Sequence, residues 1–391
     1  LPNAPSFDPL NQSAQSQAQQ FGYNNDFIGY IPMPGASNPA RHGLLVVNHE
    51  YTNEELMFAG IGIQKTKEEA FAKMTKELVD IEIAAHGGSV LEIKRDGDWQ
   101  VVSSSKYARR ITGDTLIDMS GPVAGHDRVR TKEDPSGRVV KGMLNNCAGG
   151  VTPWGTWLTC EENFSYYFRG ATDAHPDAAK LKRYGVPGKM YAWGKFYDRF
   201  DVSKEPYEAN RFGWVVEIDP FDPSSRPKKR TALGRTKHEG AAGIIAKDGR
   251  YVVYLGDDER FDYVYKFVTK NKVDQLNRAA NMDLLDEGVL YVARYKADGT
   301  GEWLPLVYGQ GPLTAEKGFA SQADILIDTR LAADALGATK MDRPEDVEAD
   351  LLTNKVYVAL TNNNRRSAEQ VDAANPRAEN RFGHIIEMVP E

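Results

Sequence analysis

The stretch N-R-F-G-W-V-V-E-I-D-P, Asn210 to Pro220, returns as N-R-F-G-H-I-I-E-M-V-P, Asn380 to Pro390, with Asn, Arg, Phe, Gly, Glu and Pro in the same register. A repeat of this kind means that one supersecondary unit is used several times. Two weaker relatives, G-S-V-L-E-I-K-R (Gly88 to Arg95) and Y-V-Y-K-F-V (Tyr263 to Val268), carry the same β-branched and aromatic residues. Each reads as a β-strand. Ahead of each lies a second kind of strand that ends in a polar cluster: G-L-L-V-V-N-H-E-Y (Gly43 to Tyr51), G-T-W-L-T-C-E-E-N (Gly155 to Asn163), R-Y-V-V-Y-L-G-D-D-E (Arg250 to Glu259) and K-V-Y-V-A-L-T-N-N-N (Lys355 to Asn364). Aligned on the last apolar residue (Val47, Leu158, Leu255, Leu360), the second position after it holds His49, Cys160, Asp257 and Asn362. The third holds Glu50, Glu161, Asp258 and Asn363.

Units three and four align further. H-E-G-A-A-G from His238 and R-P-E-D-V-E from Arg343 place Glu239 and Glu345 one hairpin ahead of the polar strand ends. Repeated antiparallel hairpins with equivalent ends predict an all-β chain, a β-propeller of about four visible blade units, with a large sandwich as the other solution. The expected organisation is one body over residues 1–391, with a helical insertion over 52–87 and a covering insertion over 164–209. In the first insertion Thr66 and Glu69 read as a capping box, and Phe71, Met74 and Leu78 share one helical face before Gly87 and Gly88 end it.

Composition narrows the partners. With 41% hydrophobic residues the chain can build a core. No run approaches the ~20 apolar residues of a spanning helix, so no membrane span is expected. Forty-eight basic against 55 acidic residues, a net charge of −7 and no Lys/Arg run offer nothing to a nucleic-acid backbone. The two cysteines, Cys147 and Cys160, allow one bridge and no disulfide framework. A cleaved export signal or a trimmed terminus each accounts for an opening Leu1.

If the strand ends converge, Glu50, Glu161, Glu239, Asp257, Asp258 and Glu345 share a small volume. Two carboxylates ~5 Å apart repel by roughly 3 kcal/mol at an effective dielectric of ~20, and six of them exceed the stability of a typical domain. Such a cluster binds cations or protonates. Oxygen ligands suit Ca²⁺, Mg²⁺, Mn²⁺ or Fe³⁺, whereas the Cys160 thiolate calls for a transition metal. For Cys160 a buried thiol or a bridge to Cys147 stays open, and His49 and His238 read as core or supporting hydrogen bonders. Arg343, two residues before Glu345, places a planar cationic fork beside the acids, suited to an anion or to Asp342 or Glu345. There is no G-x-S-x-G elbow, Walker loop or H-E-x-x-H, which leaves metal-assisted hydrolysis in front.

At N-N-C-A-G-G-V-T-P-W-G-T-W-L-T-C-E-E-N (Asn145 to Asn163) the chain closely resembles the PhoX family of bacterial alkaline phosphatases. Further matches are N-H-E-Y-T-N (Asn48 to Asn53), K-H-E-G (Lys237 to Gly240), G-D-D-E (Gly256 to Glu259) and R-P-E-D (Arg343 to Asp346). The resemblance implies a six-bladed propeller exported to the periplasm or beyond. It implies hydrolysis of phosphate monoesters with Fe³⁺ and Ca²⁺ bridged by an oxo group. The implied metal ligands are Glu50, Cys160, Glu161, Glu239, Asp258 and Glu345, with Arg343 on the phosphoryl group; Asp257 is added from the repeat register. Arg343, Cys160 and Glu161 are thus the expected catalytic set. Only four of six blades are visible, so two C-terminal blades are expected to be absent or elsewhere. The expected partners are small-molecule phosphate monoesters as substrates, and the chain is expected to be a monomer. Two other readings are a non-catalytic propeller tied together by calcium that serves as a binding module, and a lactonase-like hydrolase with one calcium.

Overall fold

In Arg250–Asp257 every residue after the first is buried, the pattern of a strand covered on two sides, whereas His384–Met388 of the last repeat has no buried residue. The computed structural model describes residues 1–63 and 67–390. Among them the chain is mostly β, in four separate sheets. The first runs Asn25–Pro32, His42–His49, Gly87–Asp96, Asp98–Val101, with Arg109–Ile111 also paired to the third strand. The second orders Asn146–Val151, Trp157–Glu161, Val215–Ile218, Lys228–Arg230, Leu116–Ser120, Val139–Lys141, and its one parallel pair joins Lys228–Arg230 to Leu116–Ser120. The third is an antiparallel meander of His238–Ile245, Arg250–Asp257, Val264–Lys272, Gly288–Tyr295 and Gly301–Pro305. The fourth holds Pro344–Ala349, Val356–Leu360 and His384–Met388.

The four repeats seen in the sequence are therefore the third strands of the four sheets, and the four polar-ended strands are the second. The opening strands of the four sheets lie side by side in chain order, the first against the second, the second against the third, the third against the fourth. A large core running through Leu44, Val90, Trp157, Val216 and Leu255 joins the first three sheets. A smaller one around Val252, Val264, Val347 and Val358 joins the last two.

Each opening strand pairs with its second strand in one way. Asn25 faces His49, Asn146 faces Glu161, His238 faces Asp257 and Pro344 faces Leu360. The register then breaks within the next few residues in all four hairpins. Bulges of this type bend a strand and re-aim its side chains. They give the site its repeat.

The 52–87 segment holds Glu54–Met57, Lys67–Lys73 and Lys76–Ala85. The single helix expected there is two, because the hydroxyl of Thr75 accepts from the N–H of Leu78 and starts a new helix. Thr66, and with it the expected capping box, lies outside the described residues. Over 164–209 the chain makes short helical turns packed through aromatic rings, with Tyr167 stacked on Tyr191 at 4.7 Å and on through Trp193 to Phe200. No described helix is long and apolar enough to cross a membrane.

Candidate metal centre

The second residue of each opening strand is Asp26, Cys147, Glu239 or Glu345, and the residue just past each second strand is Glu50, Glu162, Asp258 or Thr361. One hydrogen bond closes each hairpin in the same place. The N–H of Glu50 donates to Asn24 O at 3.1 Å, Glu162 to Asn145 O at 3.0 Å, Asp258 to Lys237 O at 3.0 Å and Thr361 to Arg343 O at 3.2 Å. The fourfold repetition of backbone places eight side chains at equivalent points.

Seven of them form three groups, each with its ligand atoms within 4.8 Å of one another: Asp26, Glu50 and Cys147; Cys147, Glu162 and Glu239; Glu239, Asp258 and Glu345. Each group takes two residues from one sheet and one from the next, and Cys147 and Glu239 are shared. The Cys147 Sγ lies 2.9 Å from Glu239 Oε1 and donates to it.

Burial and mutual repulsion push Glu50, Glu162, Glu239, Glu345 and Asp26 toward their protonated forms. Burial, then Asp26 and Asp258, push Glu50 up to about 8. Burial, then Glu162 and Asp258, push Glu239 up to about 11. Glu162 is raised strongly by burial and by Asp258, with Lys237 opposing. Burial and Glu239 hold the Cys147 thiol far above its usual range. Asp26 is an exposed residue whose carboxyl end turns toward Cys147, and burial of that end raises it too. Glu162 Oε1 and Asp258 Oδ1 are buried with no hydrogen-bond partner. Orphaned carboxylate oxygens and a thiol among acids are what a bound cation would satisfy, so the donor set fits metal ions.

The linkage has a definite sign. Glu50 and Glu239 titrate near 4.5 when unfolded and higher when folded. Their contribution to the metal-free fold is complete below pH 4.5 and is lost as pH rises through about 8 and on toward about 11. The melting temperature of chelator-treated protein is expected to fall between about pH 5 and about pH 9, and saturating calcium to reverse the fall. A metal-free melting temperature that rises over this range contradicts the assignment.

On the rim, Arg343 Nη2 donates to Asp258 Oδ2 at 2.6 Å and Glu345 Oε1 at 2.7 Å. Arg343 is at φ 57°, a left-handed backbone made more costly by the following Pro344. The strain fixes where the guanidinium leaves the chain.

Of the residues singled out in the sequence, the structure brings together Glu50, Glu239, Asp258, Glu345 and Arg343. It does not bring Cys160, Glu161 or Asp257 to them as ligands. Cys160 is fully buried in the hydrophobic core. Glu161 is buried against Lys229 Nζ at 2.8 Å and accepts from the N–H groups of Leu144, Gly213 and Trp214. Asp257 is bound by Arg330 Nε at 2.8 Å. Successive residues of a strand alternate faces, so Cys160 and Glu161 lie on opposite sides of theirs, the first in the core and the second against Lys229, while Asp257 turns to Arg330. Both cysteines are free thiols, so they form no bridge. His49 bonds Asn25 and Ser89, and His238 bonds Gly234 O, in keeping with supporting roles. Asp26, Cys147 and Glu162 went unread. Aligning the units on strand ends instead of last apolar residues would have found Glu162.

Comparison with known proteins gives the family. The family model described as alkaline phosphatase PhoX matches residues 1–391. A solved structure titled Pseudomonas fluorescens PhoX in complex with vanadate, a transition state analogue, is 44% identical, with a TM-score of 0.91. The match covers 98% of this chain and 67% of that one. No curated protein matches the chain. A model matched from end to end and a 44% identical structural neighbour place the chain in one family: it belongs to the PhoX alkaline phosphatases, and it is a phosphatase.

Proposed function

We propose that the chain hydrolyses phosphate monoesters using cations held at the three overlapping groups, and that its four sheets are consecutive blades of a propeller. The side-by-side opening strands support the propeller. One observation carries the function: seven ligand side chains from four sheets meet in linked triads whose members cannot all ionise unless cations sit among them. The two triads that share Cys147 suit a transition ion such as iron, which forms covalent bonds to a thiolate while taking carboxylate oxygens as its other ligands, as calcium does not. The third, all carboxylate, suits Ca²⁺. When bound, such cations supply Lewis acidity to the phosphoryl oxygens and an activated oxygen nucleophile.

The chain's own residues do the rest. Arg343 keeps part of its fork free beyond its bonds to Asp258 and Glu345, and would hold the equatorial oxygens of a loose transition state. Asp258 and Glu345 fix its direction. Tyr166, half-buried, feels Glu162, Asp258 and Arg343 and closes one side of the mouth. Vanadate bound as a transition-state analogue to the Pseudomonas protein supports a phosphoryl site of this type. Export to the periplasm belongs to the same proposal, on the strength of the family resemblance. A calcium-only module or a one-calcium lactonase would have no use for a thiol at the junction of two triads.

Elemental analysis with an aryl phosphate assay tests the reading. Purified protein is expected to carry both a transition metal and calcium and to turn over the ester. Chelation is expected to abolish turnover, with calcium alone restoring little. Calcium-only protein, or full turnover after chelation, would contradict it.

A further inference from the structure

One asparagine stands between two of the triads. Asn145 is buried two residues before Cys147, with the N–H of Glu162 on its carbonyl and the N–H of Asn163 on its Oδ1 at 2.7 Å. With Oδ1 so engaged, Nδ2 is the donor end, and it reaches Glu50 O and the Tyr167 hydroxyl, each at 3.4 Å. Glu50 and Glu162 are the residues past the second strands of the first and second sheets, and each shares a triad with Cys147.

Behind Asn145 runs a hydrogen-bonded chain whose direction is fixed. His86 caps the helix Lys76–Ala85, and its Nδ1 lies 2.7 Å from Glu82 O. A carbonyl only accepts, so Nδ1 carries the hydrogen and Nε2 is the acceptor. Nε2 is 2.8 Å from the Tyr167 hydroxyl, which therefore donates to it and presents a lone pair to Asn145. Burial lowers His86 to about 4, in keeping with a neutral ring. The Glu82 carboxylate in turn accepts from Thr52 Oγ1 at 2.9 Å and from Trp193 Nε1 at 3.0 Å, and Thr52 is two residues after Glu50. His86, Tyr167 and Glu82 are all buried, and none of the three belongs to a triad. A buried chain with each donor matched to an acceptor specifies one geometry.

We propose that Tyr167 and His86 are positioning residues for the transition-metal site, holding the Asn145 amide in the one orientation that sets Glu50 and Glu162 on either side of Cys147. This role rests on the metallophosphatase reading above. It also gives the two insertions a shared task, since His86 comes from the helical one and Tyr167 from the covering one.

The test uses iron-loaded protein. Wild-type protein first has to hold iron and turn over an aryl phosphate; failure there would defeat the phosphatase reading and not this inference in particular. Tyr167→Phe deletes one hydroxyl and keeps the ring that stacks on Tyr191. It is expected to bind iron about tenfold or more weakly in competition with EDTA, and to shift the visible absorption of the bound iron. His86→Phe is expected to do the same, and His86→Gln, which keeps an acceptor, to recover most of the affinity. Tyr184→Phe is the control: its buried hydroxyl donates to Arg235 O at 3.0 Å and Ile327 O at 3.1 Å and bonds no triad residue, so iron affinity is expected to stay at the wild-type value. The proposal is overturned if Tyr167→Phe keeps wild-type iron affinity and absorption, if His86→Gln binds iron no better than His86→Phe, or if Tyr184→Phe weakens iron as much as Tyr167→Phe does, since the loss of any buried hydroxyl would then suffice.

Discussion

Cys147→Ala is expected to lose its bound transition metal and at least about 100-fold in kcat, because even residues that only orient a metal ligand typically cost ~10 to 100-fold when removed. Cys147 belongs to two of the three triads, so one substitution unbalances both. Its thiol is held far above the usual range by burial and by Glu239, so it becomes a thiolate only when a cation takes the proton's place. Cys160→Ala is the control: Cys160 lies in the core, and the variant is expected to keep its metal. Metal content and steady-state rates of the two proteins, measured side by side, decide the matter. A Cys147→Ala protein with full metal, or a Cys160→Ala protein without it, reverses the assignment.

Lys229→Met is expected to be the most destabilising single change outside the site, by about 3 to 5 kcal/mol, the usual cost of leaving one partner of a buried pair charged and alone. Lys229 and Glu161 have side chains with 0% exposure, bonded at 2.8 Å. Burial lowers Lys229 to about 8 and raises Glu161. Glu161 also ties Leu144, just ahead of the Cys147 strand, to Gly213 and Trp214, so loosening it unseats the second sheet. Denaturant unfolding of the variant against wild type measures the loss, and a change below about 1 kcal/mol would contradict the pairing.

The repeat made much of this legible. The two N-R-F-G strands, their two weaker relatives and the four polar strand ends mark four sheets; Glu50, Glu239, Asp258 and Glu345 follow from the register, and Arg343 from its place two residues before Glu345. The misreading of Cys160 and Glu161 has a plain cause. The second sheet's strand Trp157–Glu161 carries Thr159 where its counterparts Val47 and Leu255 are apolar, so aligning on Leu158 shifts the unit by one residue. In a strand, a shift of one moves a side chain to the other face. Glu162, not Glu161, is the residue past the strand end. Cys147 was hidden for a different reason: its place depends on a bulge between Asn146 and Gly149, which no local pattern announces. Asp26 sits in N-D-F-I-G-Y-I-P, a strand without the acidic partners that drew attention elsewhere.

The most direct measurement is X-ray absorption at the edge of the transition metal in the purified, active protein. A sulfur neighbour in the coordination shell, present in wild type and in Cys160→Ala and absent in Cys147→Ala, is the predicted result. A shell of oxygen alone in wild type, or sulfur that survives in Cys147→Ala, would mean that the metal is not held where the four hairpins converge.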